Sequence, residues 1–128
     1  MNKQLIIDAH SGLIVLDTEV KGIKTRFLKM ALDTGCTLTV IPWNIAITVG
    51  CDPARSKETV KMVTGSGIEF APVVTLKSLK ALGQEVKNIN VVCHNLPEES
   101  LVDGLLGLNF LSNFDILIKF REGILKIV

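Results

Sequence analysis

The sequence predicts a mainly β domain with one or two short helices, and three observations predict it. Residues 3–8, 13–20 and 23–32 are rich in β-branched and apolar side chains, and Ser11-Gly12 and Lys21-Gly22 divide them as the tight turns of a meander. Thr59-Val60-Lys61-Met62 alternates polar with apolar, breaks at Thr64-Gly65-Ser66-Gly67 and resumes over residues 68–76, the pattern of a β-hairpin with a glycine-flanked tip. Residues 115–120 and 124–128, joined by Arg121-Glu122-Gly123, read as a closing hairpin. At 128 residues the chain fits one domain of ordinary size, spanning 1–128, long enough for a real core.

The remaining elements follow in order. Pro42-Trp43-Asn44-Ile45-Ala46-Ile47, with Gly50 beyond, predicts a short helix carrying Pro in its first turn and Gly past its end. Leu82-Gly83-Gln84 marks a turn before residues 86–93, a strand whose Val91 and Val92 point to burial. Residues 95–100 form a polar loop containing Pro97, and the chain then enters Leu101-Val102-Asp103-Gly104-Leu105-Leu106-Gly107. A short helical segment is expected through Leu108-Asn109-Phe110-Leu111. No linker, low-complexity segment or solenoid-length repeat interrupts this order.

Fourteen basic residues against thirteen acidic ones leave a formal net charge of +1, with no like-charge block of the kind that binds nucleic acid or acidic lipid. Lys21, Lys24, Arg26 and Lys29 form the densest basic group and are read as the solvated side of strands. Hydrophobic residues make up 48% of the chain, apolar for a soluble domain, and a subunit interface would account for the excess. No stretch approaches the unbroken apolar length of a membrane span, and the N-terminal apolar run is too short for a signal peptide. Cys36, Cys51 and Cys93 are odd in number and widely spaced, without a C-x-x-C pair or a nearby His pair. Reduced thiols in the cytoplasm, with neither metal nor cofactor, are the simplest expectation. His10 and His94 stand apart without a motif and are read as structural or exposed.

Asp33-Thr34-Gly35 is the feature that carries chemistry. The apolar approach Phe27, Leu28, Met30, Ala31, Leu32 is suited to delivering a carboxylate to a sheltered position. The Thr hydroxyl can hydrogen-bond within the loop, and the Gly lets the chain turn where a Cβ would collide. Such a loop resembles the active-site loop of an aspartic protease, whose chemistry needs two carboxylates sharing one proton. The chain holds a single triplet of this kind. Asp17-Thr18 continues into Glu19 without a Gly, inside a strand pattern, and is not taken as a second copy. A two-fold homodimer bringing Asp33 of each subunit to its axis would complete the pair.

Leu32-Asp33-Thr34-Gly35, the hairpin tip Thr64-Gly65-Ser66-Gly67, and Leu105-Leu106-Gly107 followed by Phe110-Leu111 together resemble the retropepsin-like aspartic proteases, over roughly residues 13–128. The order of the three parts makes the resemblance specific. It implies a closed, barrel-like acid protease fold with a β-hairpin flap, and the chain is too short for a two-lobed single-chain enzyme. Asp33 would be the catalytic carboxylate of an endopeptidase active as a homodimer on extended polypeptide. Thr34 would brace the two loops across the dimer axis, and Gly35 would lie against substrate backbone. Thr64, Gly65, Ser66, Gly67 and Ile68 would form the flap tip, with Gly65 and Gly67 allowing it to open. Leu105, Leu106 and Gly107 would form the strand that threads beside the catalytic loop. Cys36 departs from the Ala or Ser usual in the family; a small side chain still fits, and burial without a role is favoured over a redox function. The final hairpin could either pair within the chain or interleave with a partner's termini.

The principal alternative is a catalytically silent, dimeric peptide-binding or dimerisation module on the same fold. An intact triplet argues against it, because like charges at a dimer axis are costly unless they share a proton. An unrelated small barrel with a chance triplet would have to produce all three parts in order by coincidence. Asp103, Glu98 and Glu99 are read as solvated loop charges, and Asp52, Asp115 and Glu122 as polar residues at turns and strand ends.

Overall fold

The protein was analysed as a computed structural model that describes residues 4–7 and 12–128. Expectations for Lys3, Asp8, His10 and Ser11 lie outside the described residues. Ten strands occur: β1 (Gln4–Ile6), β2 (Val15–Lys21), β3 (Thr25–Leu32), β4 (Val40–Ile41), β5 (Thr59–Thr64), β6 (Gly67–Ala81), β7 (Gln84–Cys93), β8 (Gly104–Leu106), β9 (Ile116–Lys119) and β10 (Ile124–Ile127). Two short α-helices, α1 (Trp43–Thr48) and α2 (Leu108–Leu111), and a 3-10 turn at Pro53–Arg55 complete the chain.

The β2–β3 meander follows from its alternation. In β2, Leu16, Thr18 and Val20 are buried while Asp17 and Lys21 face out, and β3 opposes it in antiparallel register from Val15↔Ala31 to Lys21↔Thr25. The large sheet runs β2-β3-β8-β4-β7-β6-β5, and a further β2–β6 pairing closes its first six strands into a barrel. β8 is the strand that local pattern does not place: it lies parallel to β3 and antiparallel to β4, filling the gap between them. Leu16, Val20, Met30, Ile41, Leu76, Leu79, Val91, Leu106 and Phe110 are almost fully enclosed in the barrel core. Each such side chain contributes roughly 1.5–3 kcal/mol through burial. Phe114 tilts onto Phe110 with ring centroids 5.3 Å apart.

β6 is 15 residues long, because it serves three partners in succession along its length: β5, then β7, with β2 joining over its final residues. Leu82 and Gly83, both with positive φ (56° and 73°), make the two-residue turn from Ala81 to Gln84. A left-handed leucine costs about 1–2 kcal/mol, and packing of Leu82 against the main core offsets it. Helix α1 begins after Pro42, which is its N-cap and not, as the sequence predicts, a residue of its first turn; Gly50, at φ 103°, lies beyond its end as expected.

Beside the barrel, β1, β10 and β9 form a separate three-stranded antiparallel sheet with β10 in the middle. The N-terminal strand β1 therefore pairs with the C-terminal hairpin inside this chain and not with β2, so it is not the first strand of the predicted meander. No helix among the described residues is long and apolar enough to cross a membrane.

Candidate active site

Asp33 follows β3 directly, and its position is fixed by strands remote in sequence. Its N–H donates to Leu106 O of β8 at 3.0 Å, continuing the β3–β8 ladder. The loop then turns on itself: Gly35 N–H donates to Asp33 Oδ1 at 2.9 Å and Cys36 N–H to Asp33 O at 3.2 Å. Asp33 is half-buried, whereas Thr34 and Gly35 are exposed at the tip. A charge-assisted bond from a backbone N–H holds one carboxylate oxygen in a set direction.

The chain after β8 crosses this loop at close range. Leu108 N–H donates to Cys36 O at 2.8 Å and Asn109 N–H to Thr37 O at 3.1 Å. A Cβ on Gly107 would stand 2.6 Å from Cys36 O, 2.9 Å from Leu38 C and 3.0 Å from Thr39 N, so only glycine fits at the crossing. Leu106 is buried in the core and Leu105 half-buried beside the loop. Sequence expectation and structure thus bring Asp33, Thr34, Gly35, Leu105, Leu106 and Gly107 into one assembly.

Thr64, Gly65, Ser66, Gly67 and Ile68 form the end of the β5–β6 hairpin, with Thr64 opposite Gly67 and Gly65-Ser66 as the turn. Gly67 has φ 120°, a conformation that side chains resist. The hairpin meets the Asp33 loop through its inward face rather than its tip. Val60 and Met62 pack with Cys36, Leu38 and Leu105 around Val40, Ala71, Val73 and Val92. Val63, Ile68 and Phe70 are exposed; Val63 faces Ile68, and both lie on the hairpin face opposite Val60 and Met62.

Sequence reading missed Thr39 and Asn109. Thr39, fully buried, donates its N–H and its hydroxyl to Asn109 Oδ1 at 2.9 and 2.8 Å, and its Oγ1 accepts from Gly107 N–H at 3.0 Å. Asn109 Nδ2 in turn donates to Asn90 O of β7 at 2.7 Å. One amide ties the crossing segment, the exit of the Asp33 loop and a barrel wall together. The signal available was an amide two residues past Leu105-Leu106-Gly107, in a helix too short to need it. We predict that Asn109→Ala lowers stability by about 2–4 kcal/mol, because buried donors on Thr39 lose their acceptor. Asn109→Asp keeps that acceptor and costs less; urea unfolding of the two variants checks the order.

Asp17 is not brought to the site. It faces Lys29 across the β2–β3 ladder and pairs with its ammonium on the surface. Asp103 is more than a solvated loop charge: its Oδ2 accepts from Lys29 N–H at 3.0 Å while its own N–H donates to Lys29 O, extending the β3–β8 pairing. Among the described residues no cluster of three His, Cys, Asp or Glu side chains is arranged to hold a metal.

The three thiols are free. Cys36 sits half-buried with its Sγ–H directed at Leu38 O, and burial, reinforced by the Asp33 charge, pushes its thiol up. That keeps it protonated and unreactive near neutral pH. Burial, with Cys51 adding to it, pushes the Cys93 thiol up to about 12 from 9.0. The unfolded chain ionises this thiol from about pH 9, while the folded chain keeps its proton until about pH 12. The contribution to stability is therefore complete below pH 9 and is lost as pH rises, by about 4 kcal/mol across the window. Cys93→Ala is expected to remove most of that alkaline loss, measured by urea unfolding at a series of pH values from below 9 up towards 12.

A closed six-stranded barrel in which an apolar-apolar-glycine strand crosses an Asp-Thr-Gly loop is the retropepsin-like aspartic protease architecture. The gag-polyprotein putative aspartyl protease family matches residues 16–113, and the chain belongs to that family. Among solved structures, a retropepsin-like aspartic protease from Rickettsia conorii superposes with a TM-score of 0.75 at 23% identity, covering 99% of this chain and 89% of that one. The solution structure of the Simian Foamy Virus (mac) protease superposes with a TM-score of 0.52 at 24% identity, covering 77% of this chain and 91% of the viral one. No curated protein matches the sequence.

Proposed function

We propose that this chain is an aspartic endopeptidase, active in the cytoplasm as a homodimer, in which Asp33 of each subunit forms one half of a catalytic dyad. The observation that carries this reading is the half-buried Asp33 carboxylate, held by Gly35 N–H in a loop that strand β8 pins from behind. A carboxylate needed only for structure would require no such exposed glycine tip at the surface. One domain spanning residues 1–128 supplies one carboxylate, and a two-fold axis beside Asp33 supplies the other.

Two carboxylates at close approach hold one proton between them, since both cannot cheaply carry charge. The ionised member takes a proton from a bridging water as the water oxygen attacks the scissile carbonyl carbon. The protonated member gives its proton to the carbonyl oxygen, forming a neutral tetrahedral diol. The carboxyl proton then passes to the departing amide nitrogen as the C–N bond breaks, while the other carboxylate takes a proton from one diol hydroxyl, so that a carboxylic acid and an amine leave and the dyad again holds one proton. Neither a covalent intermediate nor a metal enters this sequence. Positioned acid-base groups of this sort contribute about a hundredfold to ten-thousandfold, with orientation adding more.

The β5–β6 hairpin acts as the flap, its tip Thr64, Gly65, Ser66, Gly67 and Ile68 closing over extended polypeptide bound by strand-like pairing. Val60, Met62, Leu38 and Leu105 supply an apolar wall on the hairpin side of the loop. Leu105, Leu106 and Gly107 support the loop, and Thr34 of each subunit braces the other across the axis. The test is cleavage of an unbiased peptide mixture from acidic to neutral pH, with oligomeric state recorded on the same samples. Cleavage by a dimer supports the assignment. A well-folded dimer that cleaves nothing at any pH would replace it with a silent peptide-binding module.

A further inference from the structure

We infer that Glu69 selects polypeptide carrying a lysine or arginine beneath the β5–β6 hairpin, so that this chain takes basic rather than uniformly apolar substrates. This rests on the reading that the hairpin closes over peptide held at Asp33, and it names the class of peptide held there.

Strand register decides which way Glu69 faces. Directly opposed residues of an antiparallel pair share a face, and successive pairs alternate between faces. Val60↔Ala71 and Met62↔Glu69 therefore lie on one face, with Lys61↔Phe70 and Val63↔Ile68 on the other. The first face is the inward one, since Ala71 is buried and Val60 and Met62 pack with Cys36, Leu38 and Leu105. Glu69 thus stands one pair nearer the tip than the packed Val60↔Ala71 pair, on the side turned toward the Asp33 loop. Unlike Ala71, it is exposed.

A carboxylate in this place has no structural task. Among the described residues, no ion pair or hydrogen bond engages its side chain. Lys61, the one cation of β5, stands on the opposite face. The neighbouring wall of Cys36, Leu38, Met62 and Leu105 carries no charge. A peptide drawn under the hairpin covers this carboxylate and takes it out of water. Against an apolar side chain the ionised group loses hydration and gains nothing, whereas against Lys or Arg it gains a charge-assisted bond. The same group thus penalises the apolar competitor and favours the basic one, and both effects add to the discrimination. In a two-fold dimer each hairpin carries its own Glu69, so a basic residue is favoured on both sides of the scissile bond.

The experiment uses short apolar peptides in which each position in turn is Lys, Gln or Glu. They are read as kcat/KM for the native chain and as Kd for Asp33→Asn by fluorescence anisotropy, at about pH 6, above the ordinary carboxylate range. At one position on each side of the scissile bond the Lys peptide should exceed the Gln peptide by about fivefold or more, and the ratio should shrink as salt rises. Glu69→Gln should bring that ratio to about one, and Glu69→Lys should turn the preference to the Glu peptide. Both variants alter an exposed strand position, and urea unfolding checks that they fold. Lys and Gln peptides handled alike at every position, or a Lys preference that survives Glu69→Gln, would overturn the inference, while cleavage itself would uphold the protease reading. Selective binding of the Lys peptide without cleavage would remove the protease reading and leave Glu69 as the selecting group. Peptides neither bound nor cleaved would overturn both.

Discussion

Asp33→Asn is expected to lower peptide cleavage by about four orders of magnitude while leaving the fold in place. The amide occupies nearly the same volume, and its oxygen can still accept from Gly35 N–H, the bond that Asp33 Oδ1 makes at 2.9 Å. Stability should therefore change by no more than about 1 kcal/mol. What the amide cannot do is take a proton from water or hold one for the carbonyl oxygen. Both halves of the chemistry fail, since an Asn dimer has neither an ionised nor a protonated carboxylate. The check is kcat/KM for the purified variant, with unfolding and sedimentation run beside it. A variant that cleaves within tenfold of wild type would remove Asp33 from the mechanism.

Gly107→Ala should be the most damaging conservative substitution in the site. The added Cβ would meet the Cys36 carbonyl oxygen at 2.6 Å, with Leu38 C and Thr39 N at 2.9 and 3.0 Å, all of them backbone atoms that cannot rotate away. Relief requires the crossing segment to move off the Asp33 loop, which breaks the Leu108 N–H to Cys36 O and Gly107 N–H to Thr39 Oγ1 bonds. A cost of about 3 kcal/mol or more is expected from overpacking together with the lost bonds. Activity should fall further than stability predicts. Leu106, next to Gly107, supplies the carbonyl that holds Asp33 N–H, and a shift of about 1 Å at a catalytic group costs on the order of a hundredfold. Measuring kcat/KM on the folded fraction at low temperature separates the two effects. Normal activity per folded molecule would show that the crossing supports the barrel but does not position Asp33.

Local elements were legible because their causes are local. The alternation in Val15–Lys21 buries Leu16, Thr18 and Val20, and no other arrangement of that strand does so. Pro42 and Gly50 bracket α1 for reasons of backbone geometry alone. The hairpin break at Gly65-Ser66 was visible for the same reason. The insertion of β8 between β3 and β4 was not readable from residues 101–107, since a three-residue strand carries no period; resemblance supplied only a strand threading beside the Asp33 loop. The bonds from Thr39 to Asn109 and from Asn109 to Asn90 span 70 and 19 residues, and nothing in the sequence pairs those side chains. Asp103 looked like a loop charge because its partner, the Lys29 backbone, is invisible to any reading of side chains. The triplet at Asp33 was plain in sequence, yet what holds it, Leu106 O and the crossing at Gly107, is tertiary.

The most direct test of a dyad shared between two chains is to mix wild-type protein with Asp33→Asn in rising proportion, allow subunits to exchange, and measure total cleavage. If each active site needs Asp33 from both subunits, mixed dimers are silent and activity follows the square of the wild-type fraction, falling to about one quarter at equal amounts. Activity that falls linearly, to about one half at the same mixture, would mean that one chain carries a complete site and would contradict the account.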